Sequence, residues 1–359
     1  MRITVLFFVV CILIGVSVVA DGVTPGGLEL IPQAVTTTAT TDCDVTAASG
    51  NIIAMSMEER GDETDYNGDG DTNDRVLGYY DVIRKTRVNT GITITQSVSI
   101  DGDIIAFQFA SSLTIGYYSI STQTLHDTGI TPSTFGKGSG GNTRVVSNGR
   151  IAYVAARLSG DELFIYDTVA RKSTRTRVLG SNPSFNGDVI AFVSPSGNIA
   201  YYTVSTGKTV DTLVSGENPT IDKNYIVFDT TAGVTYYDIA KGIAVLTPIQ
   251  GGHSYSTASI SNGIIAAVLS ENGPLGDLDG DGDTADFAVL VLYDIATGRL
   301  ISTGVVACCG PDISNGLIVF DTFEGDINED LNGDGDTGDC VQRYVSIDGL
   351  AYSYFGRSI

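Results

Sequence analysis

Short runs of β-branched and aromatic residues alternate with turns rich in Gly, Asn and Asp along this chain, and one such pattern recurs seven times. The copies are SGNIIAM (49–55), DGDIIAF (101–107), NGRIAYV (148–154), NGDVIAF (186–192), DKNYIVF (222–228), NGIIAAV (262–268) and NGLIVFD (315–321). Each is followed by a second pattern, clearest as GYYDVIRKT (78–86), AYYTVSTGKT (200–209) and VLYDIATGR (291–299). Period-2 alternation bounded by turn residues predicts strands, and no stretch beyond the N-terminus holds a helical period. The fourth copy spells out four strands: Asn182 to Phe185, Asp188 to Val193, Ile199 to Val204 and Thr209 to Val214, joined by tight turns such as Ser194-Pro195-Ser196-Gly197. The copies define units one to seven.

Measured between Gly50, Gly102, Gly149, Gly187, Lys223, Gly263 and Gly316, the spacing runs 52, 47, 38, 36, 40 and 53 residues. Propeller blades repeat at about 40 residues, whereas solenoid coils take about 20–30. The expected fold is therefore all-β, a seven-bladed β-propeller of four-stranded blades over residues 43–359, closed radially so that few edges are left unpaired. The repeat text resembles TolB-like and WD40-like propeller repeats, which read roughly Pro-Asp-Gly-x-x-Ile-Ala-Phe and then Tyr-x-x-Asp-x-x-Thr-Gly. Ser147-Asn148-Gly149 and Asn186-Gly187 stand at the Ser-Pro-Asp-Gly position, and the Trp-Asp pair is missing. The resemblance implies a fold and no substrate, because such folds host unrelated functions.

Composition narrows the function classes. The 359 residues carry 20 Lys plus Arg against 42 Asp plus Glu, a formal net charge of −22, with 43 Gly, 17 Tyr and no Trp. That balance opposes a nucleic-acid partner or an electrostatic dock on anionic lipid. Residues 1–20 have Arg2, an apolar run from Val5 and a small-residue end at Ala20, the pattern of a secretory signal; an uncleaved anchor is the alternative. The protein is thus expected outside the cell or at its surface, with no integral membrane domain after cleavage. In an exported chain the four remaining cysteines, Cys43, Cys308, Cys309 and Cys340, predict two disulfides. Neighbouring side chains in an extended strand point opposite ways, so Cys308 and Cys309 are expected to take Cys43 and Cys340 in either order, a vicinal bridge being the strained alternative. Residues 21–42 read as an extra strand, Leu28 to Gln33, on a Thr-rich spacer, 36–41. That strand either closes the ring in unit seven or adds to a neighbouring molecule's edge.

Three insertions supply the candidate chemistry. Units one, six and seven carry DYNGDGDTND (65–74), DLDGDGDTAD (277–286) and DLNGDGDTGD (330–339) between their second and third strands. All fit D-x-[ND]-G-D-G-D-T-x-D. Of the 42 acids, 22 fall in the segments Glu58 to Asp74, Glu271 to Asp286 and Asp321 to Asp339, where mutual repulsion opposes folding without cations. Calcium takes roughly six to eight oxygens, and alternating acids around a Gly-permitted turn supply them. The candidate ligands are Asp65, Asn67, Asp69, Asp71 and Asp74; Asp277, Asp279, Asp281, Asp283 and Asp286; and Asp330, Asn332, Asp334, Asp336 and Asp339. Position 7 is also read as a source of a backbone carbonyl. The loops resemble EF-hand loops but replace the closing Glu at position 12 with Val76, Ala288 and Val341. The closing acid moves to position 10, as in the shorter calcium loops of integrin α-chain propellers. Up to three Ca2+ ions are expected, on one contiguous arc of one rim, since units six, seven and one are consecutive in a closed ring.

No catalytic constellation accompanies them. His126 lies on a fourth strand and His253 on a linker, no Ser sits in a G-x-S-x-G elbow, and Phe135 to Gly141 lacks the strand-to-helix setting of a phosphate loop. The leading expectation is a secreted, calcium-stabilised propeller that binds protein or glycan or assembles with copies of itself. The alternative is an extracellular carbohydrate-active lyase or hydrolase.

Overall fold

The computed structural model describes residues 29–30, 35–41, 47–135, 144–250, 258–273, 275–284, 288–308, 310–333 and 335–347. Its strands form six sheets of four to seven strands, with every pairing antiparallel except one. Unit four matches its sequence reading closely, with strands Ser181–Asn186, Val189–Val193, Asn198–Thr203 and Lys208–Ser215 in that spatial order. Units three and five are likewise four-stranded.

The expected seven-bladed β-propeller of four-stranded blades is corrected to an all-β fold of six separate open sheets, none closing on itself. The reason lies in particular strands. Thr86–Asp101 runs for 16 residues without a break, pairing with Arg75–Asp81 at one end and Ile104–Phe109 at the other. It thereby merges units one and two into one seven-stranded sheet. The outer place in unit seven is taken by Thr36–Thr41, antiparallel to Cys340–Ser346. Glu29–Leu30 adds a fifth, parallel strand outside Arg299–Val306 of unit six. The Thr-rich stretch is therefore a strand and not a spacer, and the segment before it pairs in unit six and not in unit seven. Residues 348–359 lie outside the described residues, as does the leader.

Side chains on the turn before each second strand tie the units in sequence. The Gly102 N–H donates to Ser49 Oγ, Asn148 N–H to Asp101 Oδ2, Gly187 N–H to Ser147 Oγ and Lys223 N–H to Asn186 Oδ1. Asn262 N–H then donates to Asp222 Oδ2, Asn315 N–H to Ser261 Oγ, and Gly50 N–H to Ser314 Oγ of unit seven. The apolar core is divided the same way. Ala152, Val154 and Leu163 of unit three pack with Phe185, Ile190 and Phe192 of unit four, and Ile53, Met55 and Met57 of unit one with Leu317 and Val319 of unit seven. Arg144, ahead of the first strand of unit three, reaches units six and seven. Its guanidinium donates to the carbonyls of Ile260 and Ile313 and lies 2.9 Å from Asp312 Oδ1. Asp312 is buried and also accepts from Ala48 N–H and Ser259 Oγ.

Six units repeat one further device. A threonine in the fourth strand or directly after it, at 90, 128, 176, 212, 247 or 303, donates its hydroxyl to the third-strand carbonyl thirteen residues earlier. The same Oγ1 accepts the N–H two residues on, as Thr212 does from Val214, so a strand irregularity leaves no orphaned backbone group there.

Candidate metal centre

Each acidic loop springs from a hairpin: Ile52–Glu58 with Arg75–Asp81, Ile264–Leu269 with Val289–Asp294, and Leu317–Phe323 with Cys340–Ser346. Backbone bonds from Glu59 N–H to Asp74 O (3.1 Å) and from Glu324 N–H to Asp339 O (2.9 Å) close the first and third loops at their base. Inside, the first Asp organises the turn. Asp65 accepts the N–H of Gly68 at 2.6 Å and of Gly70 at 2.9 Å. Asp277 does the same for Gly280 and Gly282, and Asp330 for Gly333 and Gly335. The sixth loop position needs a φ that side chains rarely adopt, +101°, +101° and +103° at Gly70, Gly282 and Gly335, which is why glycine stands there.

A glutamate at a constant offset, six residues before the first Asp, completes each loop. Glu59, Glu271 and Glu324 are buried. Oε1 of Glu59 accepts from Tyr66 N–H at 2.7 Å and Asn67 N–H at 3.1 Å. Oε1 of Glu271 takes Leu278 and Asp279 at 2.6 and 3.0 Å, and Oε1 of Glu324 takes Leu331 and Asn332 at 2.5 and 3.1 Å. Sequence reasoning missed these residues because it began each loop at its first Asp. The signal was present in the common offset.

The glutamates gather the loop acids. Ligand atoms of Glu59, Asp71 and Asp74 lie within 4.8 Å of one another, as do those of Glu271, Asp277 and Asp279, and of Glu324, Asp336 and Asp339. Two oxygens on one calcium ion, each about 2.4 Å from it, lie no further apart than this. In the first and third loops it is thus the position-7 carboxylate, Asp71 or Asp336, that joins the cluster. The other predicted ligands are placed differently. Asp65 and Asp330 spend both oxygens on glycine amides. Asn67 turns its amide toward Asp74 Oδ2 at 2.8 Å, and Asn332 is directed at Asp339. Asp69 and Asp281 are exposed, each accepting the N–H two residues on, and Asp283 is exposed beside Asp281. Asp286 and Asp334 lie outside the described residues, as does His253. Burial pushes the Asp74 carboxyl above its ordinary value; Asn67 pulls it down, while Asp69 and Glu59 push it up again. Three acidic clusters that can coordinate a divalent ion are therefore in place.

Of the two orders expected for the disulfides, the one that joins Cys308 to Cys340 is corrected. Cys308 Sγ stands 3.6 Å from Cys340 Sγ, far beyond the ~2.05 Å of a bond, so these two are not joined. Cys43 and Cys309 lie outside the described residues. Among the described residues no helix is long and apolar enough to cross a membrane.

No family model and no curated protein matches this chain. Among solved structures, a chain of the mitotic checkpoint complex is similar at 10% identity and a TM-score of 0.51, over 96% of this chain and 99% of that one. The likeness is one of fold alone. An oligogalacturonate lyase in complex with manganese is similar at 10% identity and 0.49, over 78% of this chain and 84% of that one. TolB from Acinetobacter baumannii is similar at 14% and 0.42, over 63% and 58%. Neither of these two carries a functional argument, and the TolB-like and WD40-like resemblance is corrected to distant structural likeness. Both functional expectations, the calcium-stabilised binding or self-assembling propeller and the carbohydrate-active enzyme, rest on the seven-bladed scaffold and are corrected with it. What stands is an all-β chain with acidic clusters able to chelate a metal.

Proposed function

We propose that this chain is a calcium-binding protein whose three loops, 59–74, 271–286 and 324–339, each hold one ion, and that it is exported through its leader. The observation that carries the reading is the threefold repetition of one arrangement: a buried glutamate held by two loop amides, with two aspartates of the loop beside it. The donor set is oxygen only, which suits hard cations, and calcium fills the rest of its shell from loop carbonyls, exposed aspartates and water. Asp286 and Asp334 would complete the second and third loops. Isothermal titration of the chain from residue 21 with calcium tests the reading. Up to three equivalents per chain are expected, with magnesium binding more weakly because it demands a smaller, near-octahedral shell. No heat of binding, together with melting unchanged between chelator and millimolar calcium, would remove it.

A further inference from the structure

The three loops share one sequence pattern, and the first differs from the other two at one buried atom. In the first loop both oxygens of Glu59 have protein partners: Oε1 accepts from Tyr66 and Asn67, and Oε2 accepts the Asp74 N–H at 3.2 Å. In the other two, Oε1 is satisfied in the same way, but Oε2 of Glu271 and Oε2 of Glu324 are buried without a hydrogen-bond partner. A carboxylate oxygen taken out of water and left unmatched carries the full desolvation penalty of the group. Among the described residues, Glu271 gathers with the carboxylates of Asp277 and Asp279, and Glu324 with those of Asp336 and Asp339. An ionised carboxylate has no proton to donate to another, whereas a cation satisfies both.

Resting on the calcium reading above, we infer that Glu271 and Glu324 are direct metal ligands through Oε2 and that the three sites are of two kinds. The loops at 271–286 and 324–339 need the ion to satisfy a buried oxygen, so they load first and are the last to be stripped. The loop at 59–74 satisfies its glutamate from its own backbone. An ion entering there must displace those bonds, so this site loads last and responds to changes in calcium concentration. The second loop also has Asp279 where the others have Asn67 and Asn332, one more negative charge near the ion.

The chain provides its own probe. It has no Trp, and position 2 of the loop is Tyr66 in the first site but Leu278 and Leu331 in the others. Terbium luminescence excited through tyrosine, less the signal of the Tyr66→Phe variant, therefore reports the first site alone. Calorimetry with calcium reports all three. The expected result is two tight equivalents by calorimetry, with Tyr66-dependent luminescence rising only after them. Glu271→Gln and Glu324→Gln keep an oxygen for the loop amides but remove the charge. Each should weaken one tight site by at least about tenfold, while Glu59→Gln leaves both tight sites intact. Luminescence that saturates first, three equal sites, or unchanged tight binding in Glu271→Gln and Glu324→Gln would overturn the inference and leave calcium binding standing. Absence of any calcium or terbium binding would instead sink the functional reading. If either glutamine variant fails to fold, the order of loading in the unaltered chain still decides the matter.

Discussion

In unit two, Asp103 is held by the Ser119 hydroxyl at 2.5 Å and the Ser121 amide at 2.6 Å; in unit three, Glu162 is gripped by Arg175 at 2.7 Å. In unit four, Asp188 is bonded by Ser205. Units one, six and seven treat the acids of their second-to-third turns differently, crowding them against one another around a buried glutamate. The pKa directions divide similarly. Arg175 holds Glu162 below its ordinary value; burial raises Asp103, but its hydroxyl and amide donors win and bring it below. Asp74 and Asp326, in the acidic segments, are raised, in both cases chiefly by burial. One region neutralises its acids with groups of its own. In the other, Glu271 and Glu324 each keep one buried oxygen without a hydrogen-bond partner.

The two regions meet at Arg144 and Asp312, and the largest effect of a single substitution is expected there. Asp312→Ala leaves the guanidinium without its carboxylate and should cost about 3–5 kcal/mol, as breaking buried pairs does. Denaturant unfolding with and without calcium measures it. A cost present only in calcium would tie this contact to the loops and blur the division between the regions.

Thr212→Val tests the loop-free side. It strands the Ile199 carbonyl and the Val214 amide, so a loss of about 1–3 kcal/mol is expected, the same in chelator and in calcium. A calcium-dependent loss would show that the ions stabilise all units alike.

The smallest effect is in acid. A carboxylate lowered in the folded state contributes stability that is present above its unfolded value and lost as pH falls through the folded one. For Asp103 that window opens below its ordinary 3.8. For Asp74, raised in the folded state, the sign reverses: in chelator its charge penalises folding at neutral pH, and the penalty is relieved as pH falls through its folded value. Asp103→Asn should therefore flatten the acid limb of the stability curve, and Asp74→Asn should stabilise the cation-free protein near neutrality. The opposite signs would contradict the assignment of the two environments.

Much of this was readable from residues. Unit four was legible nearly strand by strand because Pro195, Gly197 and Gly207 punctuate strict alternation. The loops were legible because glycine at position 6 and alternating acids leave few other readings. The merger of units one and two was not, because the four-strand repeat places a boundary between consecutive units, whereas Thr86–Asp101 runs through it with a register shift between Ile94 and Val98. Nor was the pairing of Thr36–Thr41, since β-branched threonines suit a strand and an extended spacer equally. Arg144 bonds partners 116 to 169 residues away, and no local pattern encodes that. The glutamates at 59, 271 and 324 were hidden among neighbouring acids until burial separated them.

Amide hydrogen exchange on the chain from residue 21, in chelator and in saturating calcium, tests the central claim most directly. Calcium should slow exchange in segments 58–76, 270–288 and 323–341 and leave units two to five, 104–250, unchanged. Uniform protection across all units, or none in the three loops, would contradict it.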